Sequence, residues 1–366
     1  MAFRDIVKRH IDLKKRVALM AIGLFALCAS AQDSVQQKKG ILHGIYRFVK
    51  EFSRVDTNYV EPQHYNFQLM MQNTNTYEFY EIANKNNQSI LFAPKPSIKI
   101  GPYFGWRWIF LGYTLDISHV HHADNKQDFN ISLYSNQIGV DFFWRETGSG
   151  YKIKSLKLGE DIDTSPIKDT DFPDISASIK GLNLYYIFNH KKFSYPAAYS
   201  QSTVQRRNAG SALLGIGYTR HSLKIDWQRL DDLIERKLGT DVTRLALDST
   251  LLFGRIRYTD ISVSGGYSYN WVFAHNWLFN ASLSLAVGYK NTDADMKKEH
   301  STFEEFDFKN FNLDGVTRLG IVWNNTKWYA GASAIFHTYN YRKSQFRTNS
   351  TFGNVNIYVG FNFDRR

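Results

Sequence analysis

The chain has 366 residues, a formal net charge of +11 and an aromatic content of 16%. One cysteine and seven prolines exclude a disulfide scaffold, and the aromatic content argues against a disordered chain. Repeated apolar runs of about 20 residues are missing, which excludes a bundle of transmembrane helices.

Residues 1–31 read as a targeting segment. Arg4, Lys8, Arg9, Lys14, Lys15 and Arg16 precede an apolar run, Val17 to Cys28, and then Ala29-Ser30-Ala31. A basic start, a short apolar core and an A-x-A site predict a secretory signal peptide cleaved after Ala31. The rival is lipid attachment at Cys28, which wants a small residue before the cysteine, and Leu27 is large. Cleavage removes six basic residues, two acidic ones and the cysteine, taking the net charge from +11 to +7. Export disfavours nucleic acid as a partner. Anionic headgroups of outer-membrane lipids, or acidic glycans, suit the residual charge better. Residues 32–65 are expected to be a periplasmic segment, in which Ile45, Phe48, Val49 and Phe52 have the i, i+3, i+4, i+7 spacing of a short helix.

From residue 66 to 366 period two dominates. Ile261, Val263, Gly265, Tyr267, Tyr269 and Trp271 alternate with Ser262, Ser264, Gly266, Ser268 and Asn270. Leu283, Leu285 and Val287 alternate with Ser282, Ser284 and Ala286. Strict alternation gives each strand one apolar and one polar or small face. A soluble sandwich and a transmembrane barrel both produce it. Strands of 10–15 residues and a Gly/Ser/Asn polar face favour an all-β transmembrane antiparallel barrel.

The expected strands are 66–82, 97–106, 108–118, 129–144, 151–158, 179–189, 208–226, 255–271, 277–290, 310–323, 328–341 and 351–363. That is about twelve, within ten to fourteen. The phase slip in 129–144 reads as a bulge or as a split into two strands. Trp106, Trp108, Trp144, Trp271, Trp277, Trp323 and Trp328 sit beside short turns and form a candidate membrane girdle. Short turns are expected on the periplasmic side and longer loops outside, among them 83–96, 159–178, 227–254 and 342–350. Leu230, Leu233, Ile234 and Leu238 predict a helix in the 227–254 loop.

Residues 190–207 break the alternation: parity makes them a periplasmic turn, yet they are long. They are expected to fold into the lumen, with Ser200, Ser202, Gln205, Arg206 and Arg207 as plug candidates. Arg206 or Arg207 would then meet Asp116 or Asp141. Lys99, Asp116, Asp141, Asn183, Asp314 and Arg318 are candidates to line the lumen.

Three runs, 53–78 (SRVDTNYVEPQHYNFQLMMQNTNTYE), 97–116 (SIKIGPYFGWRWIFLGYTLD) and 193–211 (FSYPAAYSQSTVQRRNAGS), resemble an uncharacterised family of Gram-negative outer-membrane proteins, a domain of unknown function. The resemblance spans most of the exported chain. It implies an outer-membrane barrel and brings no catalytic residues with it.

Candidate chemistry is sparse. His119, His121 and His122 with Asp124 could share a metal, but no Cys or paired Glu completes a site. Ser194, Ser200 and Ser202 with His190 or His221 lack a nucleophile elbow. Gly210–Gly217 ends without the lysine of a phosphate loop. No catalytic, metal or cofactor residue is assigned, and no cofactor is expected. The reading is an outer-membrane barrel that is a narrow or plugged channel or a surface-structure component. The alternatives are a barrel-embedded lipid-modifying enzyme and a non-catalytic anchor. The expected partners are outer-membrane lipids and the barrel-assembly machinery.

Overall fold

The structure, a computed structural model, describes residues 55–106, 109–112, 115–116, 127–146, 150–159, 162–239, 255–292, 310–342 and 346–365. The expected signal peptide, the expected 45–52 helix and the His119–Asp124 cluster lie outside these residues.

The described strands are, in chain order, β1 (Val60–Pro62), β2 (Tyr65–Asn84), β3 (Ser89–Pro94), β4 (Ser97–Trp106), β5 (Ile109–Gly112) and β6 (Leu115–Asp116). There follow β7 (Gln127–Tyr134), β8 (Ile138–Glu146), β9 (Tyr151–Lys157), β10 (Thr170–Asp171), β11 (Ile175–Ile187) and β12 (Thr203–Gln205). The last six are β13 (Ala209–Ile225), β14 (Arg255–Ala274), β15 (Trp277–Thr292), β16 (Phe311–Asn324), β17 (Trp328–Arg342) and β18 (Phe346–Arg365). Helix α1 (Pro196–Tyr199) lies between β11 and β12, and α2 (Trp227–Leu238) follows β13.

Every described ladder is antiparallel, and one sheet runs from β4 through β2, β18, β17, β16, β15, β14, β13, β11 and β8 to β7. Its edges are β5/β6, paired to β4, and β7, paired to β8. Counting β5 and β6 as one interrupted strand gives twelve barrel strands among the described residues. The sheet curls far enough for β8 to touch β16 across the interior, where Arg318 donates to Asp141. The chain is a transmembrane antiparallel β-barrel.

Period two explains both faces. Leu283, Leu285 and Val287 are exposed on the outside of β15, while Ser282 and Ser284 are buried inside. An apolar outer face is stable only against lipid. The polar inner face must find partners inside the barrel.

Twelve is the expected number, reached differently. The stretch 129–144 is two strands, joined by a turn at Ser135–Gln137 where Ile138 N–H donates to Ser135 Oγ at 2.9 Å. The 151–158 segment leaves the barrel: β9 pairs with β3 and β10. Together they form a lobe on the upper edge of β2. The 83–96 stretch therefore holds a strand rather than only a loop. The expected long loop at 342–350 is mostly ladder, since β17 and β18 stay paired to Arg342↔Arg347. Strand β2 runs through Asn73–Asn75 without a break.

The chain enters at the end where the 275–276 and 325–327 turns lie, and β18 finishes there. We call this the inner end. In outer-membrane barrels the end with termini and short turns is periplasmic.

Candidate functional site

The sequence directs 188–208 inward. After β11 the chain turns instead of crossing directly to β13. Phe193 and Tyr195 are fully buried, and Pro196 opens α1, where its missing N–H is no loss. Gln201 ends the turn in the left-handed region, at φ 58. Its N–H donates to Pro196 O at 2.7 Å. Strand β12 then pairs with β1 in the register Val60↔Gln205, so the entering chain straps the segment in place.

The barrel wall answers with small amides and hydroxyls. Tyr195 Oη lies 2.5 Å from Ser282 Oγ on β15. Tyr199 Oη donates to Asn280 Oδ1 at 2.6 Å. Gln201 donates to Tyr358 Oη on β18 and accepts from Asn324 on β16, both at 3.0 Å. Asn270 of β14 donates to Ser194 O at 2.8 Å and to Gln205 Oε1 at 2.9 Å. On the other wall Tyr134 of β7 stacks on Tyr199, with ring centroids 5.5 Å apart. The segment thus spans the inner end from β7 to β18. Each such bond contributes about 0.5–1.5 kcal/mol net, but an unmade one strands a buried polar group.

Gln205 is the hub of the segment, accepting from Ser194 N–H at 3.0 Å and donating to Lys192 O at 2.7 Å. Ser200 and Ser202 bond each other at 3.2 Å and not the wall. Arg206 and Arg207 do not reach Asp141. Arg206 pairs with Glu61 of β1 and donates to Asn276 at 2.9 Å. Arg207 lies over the Tyr59 ring at 5.8 Å. The reason is position: both arginines follow β12, at the inner surface, while Asp141 lies well up the wall.

Burial pushes the Glu61 carboxyl up, but hydrogen bonds from His64 and Arg206, and the Arg206 charge, outweigh it. Glu61 is therefore held below its ordinary value of 4.5. A depressed carboxylate stabilises the folded state above its unfolded pKa, and that stabilisation is lost as pH falls through the folded value. The Arg206 amide donates to Tyr59 O across the strap at 2.7 Å, and its hydrogen-exchange protection factor, corrected for the intrinsic slowing of exchange in acid, is expected to fall on acidification from pH 6 to below the ordinary carboxylate range. In Glu61→Gln this Glu61-linked step disappears. An identical pH response in the two proteins would remove Glu61 from the strap.

Above this layer lie buried charges. Asp141 accepts from Arg318 and from Ser132 Oγ, the latter at 2.7 Å. Arg318 also lies over the Tyr185 ring at 5.0 Å. Lys290 donates to Asp314 at 2.8 Å and lies 3.8 Å from Asp260. Asn183 and Tyr339 line a cavity of about 40 Å³ between the two ion-pair groups, with Asp314 and Arg318. That is room for a water or two. Lys99 lies on the inward face of β4, its backbone in register with Asp116. The side chain of Asp116 is outside the described residues.

The outer end is apolar. Phe143, Phe352 and Tyr339 from the barrel interior join Ile82, Ile153 and Phe172, and α2 adds Leu230, Leu233 and Ile234. Helix α2 is capped by Asp226, which accepts from Arg229 N–H at 3.2 Å. A larger cavity, 470 Å³, opens between the outer ends of β16, β17 and β18, with Arg342 and Arg347 in its lining.

Trp106, Trp271, Trp277, Trp323 and Trp328 sit at the inner end of their strands, with Trp277 across from Trp323 and Trp328 across from Phe361. Trp144 is at the opposite end, because β8 rises from the 135–137 turn. Its ring faces Lys180 Nζ at 4.1 Å. Trp108 lies outside the described residues. The structure brings His190 to Gln137 and His221 to Thr219, at 2.8 and 2.9 Å, and Ser194 to Thr203 at 2.8 Å. It does not bring those serines to either histidine.

A family described as a domain of unknown function, DUF4421, matches residues 54–363. No curated protein matches in sequence. Among solved structures the chain is similar to the outer membrane protease OmpT from Escherichia coli, at 9% identity and a TM-score of 0.33, covering 81% of this chain and 97% of that one. It is similar to the toluene transporter TodX of P. putida, at 10% identity and 0.23, covering 82% and 91%. It is also similar to the transport unit of the autotransporter AIDA-I from Escherichia coli, at 10% identity and 0.29, covering 88% and 98%.

Proposed function

Because the chain belongs to the DUF4421 family of unknown function, we propose its role from geometry: a closed outer-membrane barrel that anchors a surface structure rather than a diffusion pore. The carrying observation is that the interior is occupied in three successive layers. The inserted segment fills the inner end, the Asp141–Arg318 and Lys290–Asp314 pairs the middle, and Phe143, Phe352 and α2 the outer end. The β3–β9–β10 lobe and α2 then form the part offered to the exterior. Export through a cleaved signal peptide belongs to the same reading.

Planar-bilayer recording tests it. The full exported chain is expected to give no steady conductance. Shortening 193–204 to a Gly-Ser turn is expected to leave it closed, because the middle and outer layers remain. Steady ohmic current through the unaltered protein would overturn the anchor reading. Conductance on shortening alone would make the inserted segment the sole barrier.

A further inference from the structure

The ladder between β16 and β17 ends before its strands do. It is paired from Asn324↔Tyr329 to Gly315↔Thr338, while the strands continue outward to Phe311 and Arg342. Beyond Gly315, side chains of β16 take over the backbone donors of β17. Asn340 N–H donates to Asp314 Oδ1 at 2.7 Å, and Arg342 N–H donates to Asn312 Oδ1 at 3.0 Å. Lys290, which donates to Asp314, also donates to Asn340 O. A side chain reaches further than a backbone carbonyl. These bonds therefore satisfy the backbone while holding the two strands apart.

The cavity of about 470 Å³ opens at this gap. Its lower row is Glu81, Asn349 and Asn340, in register across β2, β18 and β17. Its upper row is Arg347 directly across from Arg342, with Phe311 on the β16 side. Both arginines are exposed, and neither guanidinium meets a carboxylate among the described residues. Asn349 Nδ2 donates to Asn340 Oδ1 at 2.7 Å, and Asn340 Nδ2 donates to Leu313 O. A side-chain amide has two N–H donors, so each of these keeps one for a ligand. Phe311 lies twelve residues along β16 from Trp323 at the inner end. At about 3.3 Å per residue and a tilt of about 40°, that is about 30 Å, beyond an apolar band of about 25 Å. The cavity thus opens at the outer surface of the membrane or above it.

We propose that this cavity binds a uronate-bearing saccharide at the cell exterior. The sugar carboxylate lies between Arg342 and Arg347, and ring hydroxyls bond to Asn340, Asn349 and Glu81. The volume falls within the roughly 300–1,000 Å³ of small-molecule sites, and the polar lining suits a hydroxylated ligand. Charge selects the anion. Two guanidinium groups against the Glu81 carboxylate leave one positive charge, which a single carboxylate matches. A phosphate monoester, at about −1.5 to −2, would exceed it and repel Glu81. Guanidinium forks meet a carboxylate bidentately, and the Phe311 ring offers an apolar wall to the C–H face of a sugar. The site stands whether or not the lumen conducts.

The full exported chain, folded in neutral detergent, is titrated by isothermal calorimetry with three probes. They are a glucuronate–glucose disaccharide, the neutral diglucose and a diglucose monophosphate. The unaltered protein is expected to bind the uronate about tenfold more tightly than the neutral sugar, and more tightly than the monophosphate. In the variant combining Arg342→Gln and Arg347→Gln, that preference is expected to vanish. Asn349→Trp keeps both charges but fills the cavity, and is expected to abolish uronate binding. A gel shift on boiling confirms that each variant is folded. Should the double variant not fold, Arg347→Gln alone is compared, with about a threefold loss of preference expected. Equal affinity of the unaltered protein for the uronate and the neutral sugar would overturn the proposal, as would tighter binding of the monophosphate. Unchanged uronate affinity in folded Asn349→Trp would also overturn it, because the binding would then need surface charge and no cavity.

Discussion

Replacing Asp141 with alanine is expected to destabilise the barrel by about 3–5 kcal/mol. Asp141 and Arg318 are both almost wholly buried, and the guanidinium would be left in the interior without its anion. Removing one partner of such a pair costs far more than the pair contributes, because the orphaned charge keeps its desolvation penalty. The opposite design separates these effects. Asp141→Leu combined with Arg318→Met removes both charges and is expected to recover most of the loss. Urea midpoints of the folded barrel in detergent, followed by the gel shift on boiling, measure all three proteins. If Asp141→Ala unfolds at the unaltered midpoint, the pair is not a structural element of the middle layer.

Leu285→Arg is the second large effect, at about 2–4 kcal/mol against insertion and stability in a bilayer. Leu285 is about half exposed and lies on the lipid face of β15 between Trp277 at the strand's inner end and Tyr289 toward its outer end. Alternation alone makes an arginine at Ser282 or Ser284 the mild control, entering a watery lumen. The occupied interior reverses that expectation. Ser282 touches Tyr195, and Ser284 lines the small cavity that Arg318 also borders. An arginine there must displace the inserted segment or crowd a buried cation. Ala286→Gly is a gentler inward control. Folding yields in lipid vesicles check the set. Equal yields for Leu285→Arg and the unaltered chain would reject the assigned faces.

Much of the architecture was legible because the period of two does not depend on what lies outside the sheet. That same indifference set its limit. Residues 151–158 alternate like a membrane strand, yet β9 belongs to the lobe, and only its partners β3 and β10 reveal this. The turn at Ser135–Gln137 carries no Gly or Pro, so the split of 129–144 showed only as a phase slip. Trp144 looked like its fellows because sequence places it beside a turn, and the side of that turn depends on the split. The inserted segment was detectable from its excess length at a turn position. Its contacts were not, since Tyr195–Ser282 and Gln201–Tyr358 depend on barrel curvature. Asp141, Asp314 and Arg318 stood out as charges in polar strand phases. Lys290 shares the inward phase of Ser282, Ser284 and Ala286 but closes the expected strand 277–290, and its pairing with Asp314 becomes visible only with the β15–β16 register.

The pairing of β2 with β18 has a kinetic consequence. These strands lie at opposite ends of the chain, in register from Phe346↔Asn84 to Arg365↔Tyr65. Their ladder has very high contact order, and its loop-closure entropy must be met before the contact contributes. Until the final strand is made, β2 lacks its β18 neighbour and leaves that hydrogen-bonding edge open to strands of other chains. Segment 188–208 bonds chiefly to β14, β15, β16 and β18, so it must either be seated before that closure or thread into a finished cylinder.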